Sequence, residues 1–130
     1  MNRYKQREQA LLLTFESMFT DDSTDDTVAL FEENIEELGD YSKSLFCGVI
    51  ENAEMLDSKI SEFASGWRLA RIPKINIAIL RVAIYEILLV DGVPASVAVN
   101  EAVELAKKYS GTDDAAFING ILGSLVRSLD

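Results

Sequence analysis

One run of apolar residues, Ile75–Val90, most constrains the fold of this chain, because its only charged residues are Arg81 and Glu86. Apolar side chains fall on every face of the helix that such a run forms, and a helix that is apolar all round is buried. The run would rise about 24 Å as a helix, which is short of the ~30 Å hydrocarbon core of a bilayer. We therefore predict the central helix of a helical protein, with its two charges in buried ion pairs. Glu101 and Glu104 are the candidate partners of Arg81.

Turn residues divide the rest of the C-terminal half into two further helices. Residues 91–94, which include a glycine and a proline, end the apolar helix and begin an amphipathic one. Gly111 ends that helix, and a last helix is predicted from about Asp113 to Leu129. Gly120 and Gly123 lie inside it, where we expect another backbone to approach closely.

The N-terminal half shows the same helical periodicity. Apolar positions predict helices over residues 5–19 and 24–38, and a third from Asp40 to about Trp67. Residues 68–74, which contain Pro73, interrupt the pattern and are the candidate hinge between two halves. The sequence therefore predicts an all-α fold of about seven helices in two small antiparallel bundles.

The chain is expected to form one domain over residues 1–130, with helical subdomains over 1–70 and 71–130. A length of 130 residues with 48% hydrophobic content is enough to bury a core without metals or disulfides. No signal peptide, membrane span or lipidation motif is visible, so a cytoplasmic protein without membrane contact is expected. Oligomeric state does not follow from these features.

Residue types argue against catalysis and against metal binding. The chain has no histidine and a single cysteine, Cys47, and so lacks the usual general base, the Cys/His pair and the common zinc sites. Gly-rich phosphate loops are also absent. We predict a protein that is not an enzyme and needs no cofactor.

Charge is distributed unevenly along the chain. The net charge is -10, the wrong sign for a nucleic-acid binder, but residues 21–40 alone hold nine acids and no base. The extreme N-terminus is basic, with Arg3, Lys5 and Arg7. Such an arm can contact phosphates, although three charges are equally compatible with ordinary solvated surface.

Three segments of the C-terminal half carry a family resemblance: AILRVAIYEIL, VPASVAVNEAVELAKKYS and FINGILGSLV. In order and spacing they resemble the bacterial transcription antitermination factor NusB family, whose pattern has the form ILR-A-YE, then VP and NEA-ELAK, then F-NG-L. The N-terminal half matches in helix layout and length. The resemblance implies a NusB-like fold of helices only.

The resemblance also implies a function. NusB-family proteins bind the boxA element of nascent ribosomal RNA as a heterodimer with NusE, a ribosomal protein, and help to assemble a termination-resistant RNA polymerase antitermination complex. Recognition of single-stranded RNA combines base stacking on aromatic rings with cations that hold phosphates. Matched by position, the implied RNA-binding residues are Arg3, Lys5, Arg7, Phe15, Asp114, Phe117 and Asn119.

Several of the matched positions depart from the family pattern. Phe15 stands where the family often has tyrosine, and Ala116 stands where a lysine commonly precedes the phenylalanine. The implied NusE contacts are Ile75, Asn76 and Ile79, and the family commonly has an acid where Asn76 stands. By periodicity alone, Phe15 and Phe117 are equally compatible with a core position.

Two other functions stay open. One is a protein-interaction module of the NusB fold that has lost most RNA binding and presents its acidic second helix to a basic partner. The other is an RNA-targeting domain like that of some ribosomal RNA methyltransferases, which would require a catalytic domain that these residues do not contain.

Overall fold

The computed structural model describes residues 1–130 and contains seven α-helices, one short 3₁₀ turn and no strand. The helices are α1 (Arg3–Ser17), α2 (Thr24–Asn34), α3 (Asp40–Glu51), α4 (Ala53–Phe63), α5 (Lys74–Leu89), α6 (Ala95–Tyr109) and α7 (Thr112–Ser128), and the 3₁₀ turn is Leu69–Arg71. The predicted all-α class with about seven helices is confirmed.

The predicted third helix is in fact two helices. It breaks at Asn52, whose side-chain amide donates a 2.8 Å hydrogen bond to the carbonyl of Gly48 and so competes with the helical backbone pattern. The second of the two helices, α4, ends at Phe63, and Trp67 follows it in a loop with 54% of its surface exposed. The prediction that Trp67 lies on the helical apolar stripe is therefore wrong.

Helix α5 is the centre of the fold, as its all-round apolar composition predicts. It packs against α1, α3, α4, α6 and α7. The main core is a cluster of 23 buried residues that includes Leu56, Leu80 and Leu122. This cluster draws residues from both halves of the chain. The division into subdomains 1–70 and 71–130 stays a prediction. No helix of the chain has both the length and the apolar composition needed to cross a bilayer.

Both charges of α5 are held in ion pairs that tie it to other helices. Arg81 makes a two-point contact with Asp57 of α4, at 2.8 and 2.7 Å, and Glu86 contacts Arg7 of α1 at 2.8 Å. Paired structural charges were predicted, but the partner was wrong for Arg81. Its face of α5 lies against α4, so the guanidinium meets Asp57, while Glu101 of α6 contacts Arg7.

The close approach expected at Gly120 and Gly123 occurs elsewhere. A Cβ at Gly120 would meet no atom within 4 Å, and at Gly123 it would meet only the Arg127 side chain. Gly48 of α3 is the tight position, since a Cβ there would clash with the ring of Tyr85. The missing side chain at Gly48 is what lets the Tyr85 ring of α5 lie on α3.

Glu8 of α1 is a buried carboxylate that joins α1 to the end of α6. It is 4% exposed, forms an ion pair with Lys108 and accepts a 2.8 Å hydrogen bond from the Tyr109 hydroxyl. Burial opposes ionisation, but the hydrogen bonds from Lys108 and Tyr109 outweigh it and hold the pKa of Glu8 below its ordinary value of 4.5. Burial, reinforced by the hydrogen bond to Glu8, raises the pKa of Tyr109.

Glu8 should make the stability of the fold depend on pH in the acid range. A carboxylate whose pKa is lower in the folded chain contributes stability above its unfolded pKa and loses it as the pH falls through the folded pKa. We expect the free energy of unfolding to fall more steeply below about pH 4.3 in the unmodified chain than in Glu8→Gln. Urea titrations from pH 3 to pH 7 would measure this, with Glu16→Gln as the exposed control on the same helix. Parallel pH curves for the unmodified chain and Glu8→Gln would contradict it.

Candidate nucleic-acid interface

An aromatic pair lies at the C-terminal end of α1. The half-buried Phe15 ring meets Phe19 edge to face, with centroids 5.0 Å apart, and Phe19 is 61% exposed. Lys74, at the start of α5, places its ammonium 5.7 Å from the centre of the Phe19 ring. The site therefore combines an exposed ring, on which a base can stack, with a cation that can hold a phosphate.

A second aromatic pair joins the loop after α4 to α7. Trp67 and Phe117 meet edge to face with centroids 5.6 Å apart. They border a cavity of about 210 Å³, which we call the Trp67 cavity. Its lining residues are Trp67, Ile72, Pro73, Asn76, Asp113, Asp114 and Phe117.

The two aromatic pairs flank one segment of chain. Ile72 lines the Trp67 cavity and also a neighbouring groove of about 370 Å³, whose wall includes Met18, Leu69 and Lys74. The structure thus brings Asp114 and Phe117 together at the cavity. Asn119 is exposed on α7 and does not line it.

The predicted basic arm is split between surface and interior. Arg3 is exposed and holds its guanidinium 3.8 Å above the Tyr41 ring, and Lys5 pairs with Glu36 at 3.1 Å. The hydrogen bond to Glu36 raises the pKa of Lys5. Arg3 precedes Phe15 by twelve helical residues, about 18 Å along α1, so the arm and the aromatic pair lie at opposite ends of this helix.

Arg7 faces inward and is only 5% exposed. Its Nε lies 2.8 and 2.9 Å from the two carboxylate oxygens of Glu86, and Nη1 lies 3.1 Å from Oε1 of Glu101. The Tyr41 hydroxyl donates to the same Glu86 carboxylate, and burial together with that hydrogen bond raises the pKa of Tyr41. The Arg7 guanidinium is thus occupied by carboxylates and is not free to meet a phosphate.

Three exposed cations in the stretch of chain after Trp67 were not identified as candidate site residues from the sequence. Arg68, Arg71 and Lys74 are all exposed, and none takes part in an ion pair. We call these three residues the basic segment. They lie within the stretch interpreted only as a hinge. The available signal was three bases within seven residues, immediately after the chain's single tryptophan.

The three predicted NusE contacts lie at the start of α5 and differ in exposure. Ile75 is half-buried, whereas Asn76 and Ile79 are each 1% exposed. The Oδ1 atom of Asn76 accepts a 2.7 Å hydrogen bond from the Ser110 hydroxyl, and its Nδ2 has no hydrogen-bond partner. Only Ile75 of the three presents a side chain to a partner in this conformation.

Comparison with known proteins confirms the resemblance noted in the sequence. The model of the NusB family matches residues 4–127, nearly the whole chain. The chain belongs to the NusB family. The transcription antitermination protein NusB of Clostridium acetobutylicum is 45% identical to it over 131 residues, which cover 98% of this chain and 97% of that protein.

Solved structures agree with this assignment. T. maritima NusB superposes with a TM-score of 0.84 at 30% identity, covering 98% of this chain and 92% of that one. A crystal structure of antitermination factors NusB and NusE in complex with double-stranded RNA contains a chain with a TM-score of 0.84 at 22% identity, covering 98% and 99%. At 22% identity, the similarity to this second structure shows a shared fold.

Proposed function

We propose that this NusB-family chain is a transcription antitermination factor that binds boxA single-stranded RNA of nascent ribosomal RNA transcripts together with NusE. It acts as a non-catalytic subunit of the RNA polymerase antitermination complex. The observation that carries the proposal is the family match over residues 4–127, supported by a relative of nearly equal length that is 45% identical and named an antitermination protein.

The proposed RNA surface follows the exposed aromatic and basic residues. Phe15, with the adjacent Phe19, and Phe117, with Trp67, offer rings to unstacked bases. The cations Arg3 and Lys5 contribute at the far end of α1. Asp114 and Asn119 add polar groups on α7, and Arg7 acts indirectly by holding α1 against α5 and α6.

The proposed NusE surface surrounds the start of α5. Ile75 contacts the partner directly, and the groove lined by Met18, Leu69 and Ile77 extends the apolar area beside it. Asn76 and Ile79 support this surface from beneath. The solved complex of antitermination factors NusB and NusE with double-stranded RNA contains a chain of this fold, which supports NusE as a partner.

Binding of labelled boxA RNA tests the proposed function. The RNA is titrated with the chain alone and with NusE present, at two salt concentrations and against a scrambled RNA. We expect weak binding by the chain alone, because the net charge of -10 opposes the approach of phosphates. NusE should tighten binding, because two modest RNA surfaces in one complex reinforce each other through effective concentration. Equal affinities for boxA and scrambled RNA in the presence of NusE would overturn the proposal.

A protein-interaction module is the second candidate, and one observation favours it. Leu30 and Ile35 are 43% and 63% exposed on and after α2, among acids that include Glu32 and Glu33. An apolar and acidic surface of this kind suits a basic amphipathic partner. Absence of boxA binding in the titration with NusE would favour this candidate.

A further inference from the structure

Three carboxylates that follow α2 lie against the basic arm at the start of α1. Glu36 forms an ion pair with Lys5 at 3.1 Å. Glu37 and Asp40 line a groove of about 400 Å³ together with Arg3. We call Glu36, Glu37 and Asp40 the acidic loop. The two outward cations of the arm therefore face acids of their own chain.

Gln9 of α1 fixes the acidic loop in this position. The residue is fully buried, and its Nε2 donates to Oε2 of Glu36 at 2.8 Å and to the carbonyl of Glu37 at 2.9 Å. Its Oε1 accepts from the Gly39 N–H at 3.0 Å and from the Ser42 hydroxyl at 2.7 Å. All four hydrogen-bonding positions of the Gln9 amide are thus filled by one short stretch of chain.

This anchor strengthens the contact between Lys5 and Glu36. An exposed ion pair usually contributes little, in part because two long side chains must be ordered to form it. Gln9 already orders Glu36, so only Lys5 loses freedom. The hydrogen bonds from Gln9 and Lys5 also lower the pKa of Glu36, which keeps it ionised near neutral pH. Glu8, at 3.5 Å from Lys5, is already neutralised by Lys108.

A phosphate that approaches the arm must compete with the acidic loop. Lys5 meets an RNA phosphate fully only when it leaves Glu36, and Arg3 shares its groove with two further carboxylates that repel the phosphate. Lys5 differs in this respect from the basic segment, whose three cations take part in no ion pair.

We propose that the acidic loop masks the basic arm and thereby limits the affinity of this chain for RNA. The contact is autoinhibitory, because Glu36 occupies Lys5 while the other two carboxylates repel phosphates from Arg3. RNA reaches the arm by displacing Glu36. The inference rests on the proposed function for RNA as the ligand and adds a regulation of its binding. It gives three of the nine acids in residues 21–40 a role inside the chain.

Glu36→Gln tests the mask, because the amide keeps an acceptor for Gln9 but no charge to hold Lys5. Labelled boxA and scrambled RNA are titrated at several salt concentrations with NusE present. We expect RNA binding to tighten about threefold, the size of one released ion pair. The slope of log affinity against log salt should steepen by about 0.7, the value for one phosphate contact on a single strand.

Glu33→Gln is the matched control, since it removes the same charge from an exposed residue of α2 that takes part in no ion pair. It measures the effect of net charge alone, which salt screens beyond about 10 Å at 0.1 M. Phosphate contacts carry no sequence information. We therefore expect Glu36→Gln to tighten the binding of boxA and of scrambled RNA by the same factor.

A double-mutant cycle identifies Lys5 as the masked cation. Lys5→Ala should weaken RNA binding about threefold in the Glu36→Gln chain and distinctly less in the unmodified chain, because Glu36 opposes the phosphate contact there. Urea unfolding of each variant verifies that it is folded.

The inference and the proposed function fail in different ways. Equal affinities and salt slopes of Glu36→Gln and Glu33→Gln would overturn the inference and leave the function intact. Equal effects of Lys5→Ala in the two chains would do the same. Equal affinities for boxA and scrambled RNA would overturn the proposed function, while a gain specific to Glu36→Gln on both RNAs would still support the mask.

Discussion

We expect Arg7→Ala to lower the free energy of unfolding by about 3 to 5 kcal/mol, a large part of the ~5–15 kcal/mol of a typical domain. Arg7 is 5% exposed, and its guanidinium contacts Glu86 and Glu101. Its removal leaves the Glu86 carboxylate, 1% exposed, with the Tyr41 hydroxyl but without a cation. An uncompensated buried charge is costly because little solvent reaches it. Equilibrium unfolding in urea measures the loss.

Arg3→Ala is the matched control, because it removes an exposed arginine from the same helix. Its cation–π contact with Tyr41 is solvent-accessible and should contribute about 0.5–1 kcal/mol. The double variant Arg7→Met with Glu86→Leu should recover much of the loss, since apolar residues of similar volume replace a buried ion pair at little cost. Equal effects of Arg7→Ala and Arg3→Ala would show that the Arg7 ion pair does not hold the fold.

The same variants separate a structural role of Arg7 from a direct RNA contact. The family resemblance places Arg7 on the RNA surface, whereas the structure surrounds its guanidinium with carboxylates. A direct contact predicts that the folded double variant binds boxA RNA more weakly and with a smaller salt slope. A structural role predicts unchanged affinity and slope, and this is the result we expect.

Leu80→Ala is expected to cost about 2 to 5 kcal/mol. Leu80 is fully buried in α5, the helix that contacts α1, α3, α4, α6 and α7. Truncation removes apolar burial and leaves a cavity among helices that cannot all move inward together. Chemical denaturation monitored by circular dichroism measures the change.

Leu89→Ala makes the same truncation on the same helix at a residue that is 47% exposed. We expect this control to stay within about 1 kcal/mol of the unmodified chain, because little apolar surface is uncovered. Comparable losses at the two positions would contradict the central placement of α5.

Local patterns anticipated much of the fold, because they depend on neighbours along the chain. The all-round apolar run predicted the central helix α5. Gly92 and Gly111 were placed at helix ends, and both adopt positive φ, at 84° and 113°. The break at Asn52 was missed, because the apolar positions keep their helical spacing on both sides of it. Hydrophobic periodicity carries no information about a side chain that forms a hydrogen bond with the backbone, as Asn52 does with Gly48.

The sequence did not predict which residues form ion pairs when the two partners lie far apart along the chain. The periodicity of α1 does not show that Arg7 turns inward, because the carboxylate that holds it lies 79 residues away at Glu86. Arg81 was assigned the wrong acid for the same reason, since several carboxylates were available and only packing selects Asp57.

The sequence was sufficient for the helical class, the central helix and the family, because these depend on composition, local spacing and recurring motifs. The tertiary structure alone decided which charges are buried and which are free. It pairs Arg7 and Arg81 with carboxylates of other helices and leaves Arg68, Arg71 and Lys74 exposed in the stretch of chain after Trp67. A charge becomes structural or available according to the carboxylates that packing brings within a few ångströms of it, and that proximity is a property of the folded chain.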